Sequence, residues 1–225
     1  MKIIKTTAGL ILAVSLVFAV GCSKNGNQST SNSKDSKTVT LGVQEGRKYT
    51  NSYFGLELNV PEGWYVASEE EKADLMQASQ EVIAENNEDL AKKIDLSEEK
   101  VLYLLFASKY PLNHQGLNPN VMCMAENLGL LGKVSLKTGK DYLTASKTTI
   151  EQSGMPCAFG EISTEKLGGK DFDVMDITMD AGEIKISQKQ YAAIFDGFAL
   201  TFTITFFSEE DAKDIQTLLN TIKFE

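Results

Sequence analysis

The chain has 225 residues, 42% of them hydrophobic and 24% charged, a globular composition that excludes wholesale disorder and collagen-like repeats. Lys and Arg total 22 against 31 Asp and Glu, a formal charge of -9. An acidic chain without a basic stripe is expected not to bind nucleic acid, because affinity for the phosphate backbone comes from cations that displace counterions. One His and three Cys leave little for metal or His-based chemistry, so no metal and no cofactor is expected.

Lys2 and Lys5 precede an uncharged run from Ala8 to Val20. As a helix, thirteen such residues span roughly 20 Å, short of the ~30 Å hydrocarbon core of a bilayer. A charged start followed by a short apolar stretch reads as a secretory signal over 1–21. The run closes on Ala19-Val20-Gly21-Cys22, which resembles the bacterial lipobox, with Ala19 where Leu is usual. The resemblance implies cleavage before Cys22 and a diacylglyceryl group on its sulfur. Two acyl chains anchor stably where one holds only marginally. The expected location is the extracytoplasmic face of the cell membrane.

Residues 23–38 contain only Ser, Asn, Lys, Gly, Gln, Thr and Asp. With no apolar side chain to offset ordering entropy, this stretch, together with Cys22, reads as a disordered tether over 22–38. Sixteen residues of flexible linker reach about 20–24 Å root-mean-square. Loss of the signal removes Lys2 and Lys5 and leaves a net charge of -11. Anionic lipid heads repel such a domain, so its surface helices are not expected to bind a membrane.

Residues 39–225 carry all four prolines and no internal repeat, and read as one domain large enough to bury its own core. Phe54, Leu56, Leu58 and Val60 alternate with polar neighbours and predict a half-buried strand. Pro61-Glu62-Gly63 is turn chemistry, after which Trp64-Tyr65-Val66 starts a second strand. Ser68 to Glu71 fits a capping box, followed by a helical face of Leu75, Ser79, Val82 and Ile83. A further helical piece holds Leu90, Ala91 and Ile94. Val101–Phe106 reads as a strand apolar on both faces, Tyr110–Asn120 as a loop, and Val121–Ala125 as another strand. Thr138 caps a helix with Tyr142, Leu143, Ser146 and Ile150 inward, ending at Gly154 and Pro156. Strands are expected over 157–166, 171–180, 184–195 and 198–207. The turns at Gly168-Gly169, Ala181-Gly182 and Asp196-Gly197 make them an antiparallel meander. Ser208 caps a last helix that carries Ala212, Ile215, Leu218, Leu219 and Ile222, with Lys223 near its end. The sum is an α+β fold, an antiparallel sheet sandwiched by helices as an α/β/α arrangement.

Several segments together are similar to the PsbP-like domain. They are Tyr53-Phe54-Gly55-Leu56-Glu57-Leu58-Asn59-Val60-Pro61-Glu62-Gly63-Trp64, the Asn118-Pro119-Asn120-Val121 strand entry, the order of elements and the closing amphipathic helix. That group includes extrinsic photosystem proteins, Mog-type and DcrB-like proteins and many bacterial lipoproteins. The likeness covers nearly all of 50–225. It implies a six- to seven-stranded antiparallel sheet between helices and an adaptor or accessory role. It carries over no catalytic residue.

Candidate chemistry is sparse. His114, the single histidine, lies in the Tyr110–Asn120 loop, and the chain lacks G-x-S-x-G. Gly129-Leu-Leu-Gly132-Lys133-Val134-Ser135 misses phosphate-loop spacing. Glu69, Glu70, Glu71 and Asp74 read as a solvated helix start rather than a cation site, as do Glu209, Glu210 and Asp211. Cys123 and Cys157, outside the cytoplasm, are candidates for a disulfide enclosing 33 residues, worth about 3 kcal/mol by loop entropy; the alternative for Cys123 is a small core hydrophobe. Trp64, Tyr110 and His114 form the candidate contact surface, since irregular loops often carry function.

The reading is a lipid-anchored extracytoplasmic lipoprotein acting as a non-catalytic binding or accessory module for an envelope protein partner. A small-molecule carrier and a carboxylate-based hydrolase are the alternatives. The carrier needs an apolar cavity. The hydrolase needs two converging acids.

Overall fold

The computed structural model of the protein describes residues 39–92, 100–182 and 184–225. The signal, Cys22 and the tether lie outside the described residues, as does Ile94. The fold is α+β, with antiparallel sheets and helices. In chain order it runs β1 (Val43–Glu45), β2 (Lys48–Asn51), β3 (Leu56–Asn59), β4 (Tyr65–Val66), α1 (Glu69–Asn86), α2 (Glu88–Ala91), β5 (Val101–Ser108) and β6 (Asn120–Asn127). It continues α3 (Gly129–Ser135), α4 (Gly139–Ser153), β7 (Cys157–Phe159), β8 (Ser163–Leu167), β9 (Lys170–Ala181), β10 (Ile184–Phe195), β11 (Phe198–Phe206), α5 (Glu209–Leu219) and β12 (Lys223–Phe224).

The large sheet has the order β4-β5-β6-β11-β10-β9-β7, with β8 also pairing β9. The meander forms because Asp196 and Gly197 take φ of 46° and 86°. That left-handed pair lets β10 fold back on β11 so that Phe195 faces Phe198. A small sheet, β1-β2-β3-β12, joins the two ends of the described domain.

Alternation along the central strands fills two separate cores. Tyr103, Met122, Met124, Met175 and Ile177 face Leu75 and Ile83 of α1 and Leu143 and Ile150 of α4. Leu105, Cys123, Phe172 and Phe202 face Leu56 and Leu58 of β3 and Ile215 and Leu218 of α5. A register shift between Tyr103 and Leu105 in β5 lets Leu104 and Leu105 both enter the second core.

The helix starts follow the sequence. Ser68 Oγ accepts from Glu71 N at 3.3 Å, and Glu71 Oε2 accepts from Ser68 N at 2.8 Å. The acidic start of α1 is therefore the solvated capping turn expected. Thr138 and Asp141 form the same reciprocal box on α4, which ends on Gly154 at φ 78°. Ser208 Oγ accepts from Asp211 N at 3.1 Å at the start of α5.

Four expectations are corrected. The second face of the sheet is covered by α5 together with the small sheet, not by helices alone, because the β1–β2 hairpin, whose pattern is too polar to read, brings its own sheet. Residues 157–166 form two strands, since three residues, 160–162, stand opposite only Met175 and Asp176 between the paired positions Phe159–Ile177 and Ser163–Val174. The last helix stops at Leu219 and Lys223 lies in β12, pairing Glu57. Cys123 and Cys157 are both free. Cys123 points into the core shared with α5, while Cys157 packs against the core shared with α4. Four strand spacings separate them in the sheet order, about 19 Å at ~4.8 Å each, far beyond disulfide reach. Cys123 is the small core hydrophobe. Both thiols should therefore alkylate in unfolded protein without reductant, and in folded protein Cys157 should react well before the buried Cys123.

Gly139 opens α4 where a Cβ would lie 2.0 Å from the Ala192 carbonyl oxygen on β10. Gly139→Ala should cost about 3–5 kcal/mol in denaturant unfolding, because backbone must move. Gly154→Ala, with open space around its Cβ, should cost only about 1 kcal/mol for the left-handed backbone.

Candidate functional site

Two of the three loop residues singled out from sequence meet in one cleft. Pro61, Glu62, Gly63 and Trp64 form one wall, Lys109 and Tyr110 the next, and Asp214 and Thr217 of α5 the third, around a volume of about 410 Å³. The turn wall is held from behind by Arg47. Its guanidinium donates to the carbonyls of Pro61 and, at 3.0 Å, Trp64. Trp64 itself is only 8% exposed. It is mainly a core residue whose edge reaches the cleft.

The loop wall is built by Asn118, which is buried. Its Oδ1 accepts from Tyr110 N at 3.0 Å, and its Nδ2 donates to Tyr110 O at 2.9 Å. Ser108 Oγ donates to the same carbonyl at 2.7 Å. These bonds hold the Tyr110 backbone while the ring stays 39% exposed. His114 stacks on that ring, with centroids 4.2 Å apart and planes 23° apart. It enters the site as the second layer of an aromatic pair, not as a cleft-lining group.

The third wall supplies charge. Lys109 Nζ lies 2.8 Å from Asp214 Oδ2 and 3.6 Å from Asp211 Oδ1. The hydrogen bond that Lys109 donates to Asp214, with the charges of Asp214 and Asp211 beside it, raises the Lys109 pKa, so this cation is firmly charged at neutral pH. With Glu62, the cleft lining carries two acids to one cation, and Asp211 adds a third carboxylate beside Lys109 outside the lining. An aromatic platform, a hydroxyl and an acid-rich rim suit recognition of a polar or cationic segment, by stacking and hydrogen bonds.

A larger groove, of about 550 Å³, runs along a single stripe of α1 from Ala73 to Ala84. One helix face offers no converging groups. Among the described residues no cluster of His, Cys, Asp and Glu is placed to hold a metal ion.

Glu126 was not singled out from sequence. It sits on β6 in register with Met122 and Met124, which sends its side chain into the helix-facing core. It is 2% exposed, and Tyr142 Oη of α4 donates to its Oε2 at 2.8 Å. Burial pushes its pKa up to about 8, partly opposed by the Tyr142 hydrogen bond and the charge of Lys100. The signal was the period of two, Met122-x-Met124-x-Glu126, which puts a carboxyl on a buried face.

No protein-family model matches the sequence, and no curated protein sequence does either. Among the solved structures to which the chain is similar are two described by name. One is LpqN, described as involved in cell envelope biogenesis of Mycobacterium tuberculosis, at 10% identity and a TM-score of 0.43 over 75% of this chain and 82% of that one. The other is PsbP (CyanoP) from Synechocystis sp. PCC 6803, at 12% identity and a TM-score of 0.44 over 86% of this chain and 98% of that one. The likeness is one of general architecture and transfers no residue role. Among the described residues no helix is long and apolar enough to cross a membrane.

Glu126 couples stability to pH. The folded state keeps its proton up to about pH 8, whereas an unfolded Glu releases it near ~4.3. Folded protein binds the extra proton between those values, so stability falls as pH rises through that window, by at most about 1.4 kcal/mol per pH unit. Glu126→Gln keeps an acceptor for Tyr142 and removes the titration. Chemical denaturation from pH 5 to 8 should show the variant gaining on the parent steadily with pH.

Proposed function

We propose that the protein is a lipid-anchored extracytoplasmic module that binds an envelope protein partner and performs no chemistry of its own. The carrying observation is the succession in the first 38 residues: a charged start, a short apolar run, Cys22 at lipobox spacing, and sixteen residues without an apolar side chain. That order suits a chain exported, acylated on Cys22, and released on a tether.

The site geometry supports the binding half of the reading. The cleft between Trp64, Tyr110 and Asp214 has an exposed aromatic wall at Tyr110 and charged groups beside it, with His114 stacked behind that tyrosine outside the lining. Confinement at the membrane raises the effective concentration of such a shallow site for a neighbouring protein, so a weak contact suffices. Tyr110 supplies the exposed ring and Asp214 the charge.

Metabolic labelling with a fatty acid tests the anchor. The unaltered chain should incorporate label, lose residues 1–21 and partition into detergent. Cys22→Ser should do none of these. In-membrane crosslinking tests the site. Tyr110→Ala and Asp214→Lys should each weaken capture of the partner about tenfold while unfolding at the parent's midpoint within about 1 kcal/mol, since both side chains lie at the surface. Undiminished capture by both variants would move the contact elsewhere on the domain.

A further inference from the structure

The face of the large sheet that α1 and α4 cover carries a polar patch on its central strands. Thr203 and Thr205 on β11, Gln188 and Gln190 on β10, and Asn120 on β6 are each 3% exposed or less. Residues opposite each other in an antiparallel pair share a face. Thr203 lies opposite both Gln190 and Met122, a residue of the helix-side core, so the whole patch is turned toward the helices.

Register brings these side chains together. Asn120 and Gln188 both lie opposite Thr205, one from each side, and Thr203 is the next residue of β11 on the same face. Three of their polar atoms make no hydrogen bond within the protein: Asn120 Oδ1, Gln188 Oε1 and Thr203 Oγ1. The two amides are not free to turn, because the nitrogen of each is engaged. Asn120 Nδ2 donates to Asn118 O at 2.9 Å, and Gln188 Nε2 donates to Thr205 Oγ1 at 2.9 Å. The neighbouring acceptor Gln190 Oε1 is already served by Ser146 Oγ of α4 at 3.2 Å. A fourth unbonded atom, Tyr103 Oη, lies on β5 opposite Met124, outside this row.

A buried polar atom without a partner is costly and rare, so three side by side call for an occupant. Two of the atoms are carbonyl oxygens, which need donors. The third belongs to a hydroxyl, which can donate. One water molecule matches that set, giving two protons and accepting one, with the three bonds usual for an internal water. A metal or ammonium cation does not match it. All three oxygens are neutral, and the buried carboxylate of this face, Glu126, stands six residues further along β6, about 20 Å away. No charge is therefore at hand to offset a desolvated cation.

We propose that Asn120, Gln188 and Thr203 hold one long-lived internal water over β11. It accepts from the Thr203 hydroxyl and donates to the two amide oxygens. The water thereby ties β6, β11 and β10 together from the helix side, in addition to their backbone ladder. The inference rests on neither the anchor nor the cleft.

Oxygen-17 relaxation dispersion on the full chain in detergent micelles tests it, because that signal counts waters that exchange slowly with the bulk. The unaltered chain should show such a signal. Thr203→Val keeps the shape and removes the hydroxyl. It should lose the amplitude of one water and raise the unfolding equilibrium constant about tenfold in denaturant titration. Gln188→Met should lose the same amplitude through a second contact, while Thr203→Ser, which keeps the hydroxyl, should retain it. An unaltered chain without slowly exchanging water overturns the inference. So does a Thr203→Val chain that keeps the full amplitude, or one that gains stability, since removing an unbonded hydroxyl stabilises a dry core. A denaturation midpoint that rises when sodium or potassium replaces choline at fixed ionic strength, with the rise abolished by Thr203→Val, gives the site to a cation and overturns it as well.

Discussion

Strands β6 and β11 are buried on both faces, and that single constraint organises the domain. A strand with Leu200, Phe202 and Ile204 on one side and Ala199, Thr201 and Thr203 on the other has no solvent face. It needs two covers, each with its own apolar surface. Helices α1 and α4 supply one. Helix α5 and the small sheet supply the other. Because β12 pairs β3, the second cover also clamps the two ends of the domain together. Removing either cover would expose a contiguous apolar sheet face.

The cleft is a consequence of that second cover. Helix α5 lies against β3 and β11, and its outer side brings Asp214 and Thr217 beside the turn that follows β3 and the loop that leaves β5. Three walls therefore come from segments separated by up to about 150 positions of sequence. Their relative placement is fixed by hydrogen bonds or a well-packed core: Arg47, though exposed, bonded to two carbonyls of the turn, buried Asn118 under the loop, and Ile215 and Leu218 under α5. A surface site framed in this way loses little entropy when a partner docks.

Charge is distributed unevenly over this frame. The cleft is lined by Glu62 and Asp214 against the single cation Lys109, whose ammonium also lies 3.6 Å from Asp211 Oδ1.

The local rules were legible in the sequence. Capping boxes at Ser68 and Thr138, positive-φ turns at Gly168-Gly169 and Asp196-Gly197, and strict alternation in β11 each act over a few residues, so they survive without knowledge of the fold. Tyr110 was likewise readable as a surface candidate, since a Pro-rich loop seldom buries its side chains, whereas Trp64 after its Pro-Glu-Gly turn belongs mainly to the core. The tertiary structure alone decided what depends on pairing across long separations. Cys123 and Cys157 look like partners by count and compartment, yet the strand order puts them on opposite faces. Glu126 looks like an ordinary strand carboxylate until α4 closes over it. The β1–β2 hairpin and β12 carry too few apolar residues to announce themselves, because their stability comes from the neighbours they pair with. Asp214 joins the cleft only because α5 crosses the sheet at that angle, and no local pattern encodes where a helix lands.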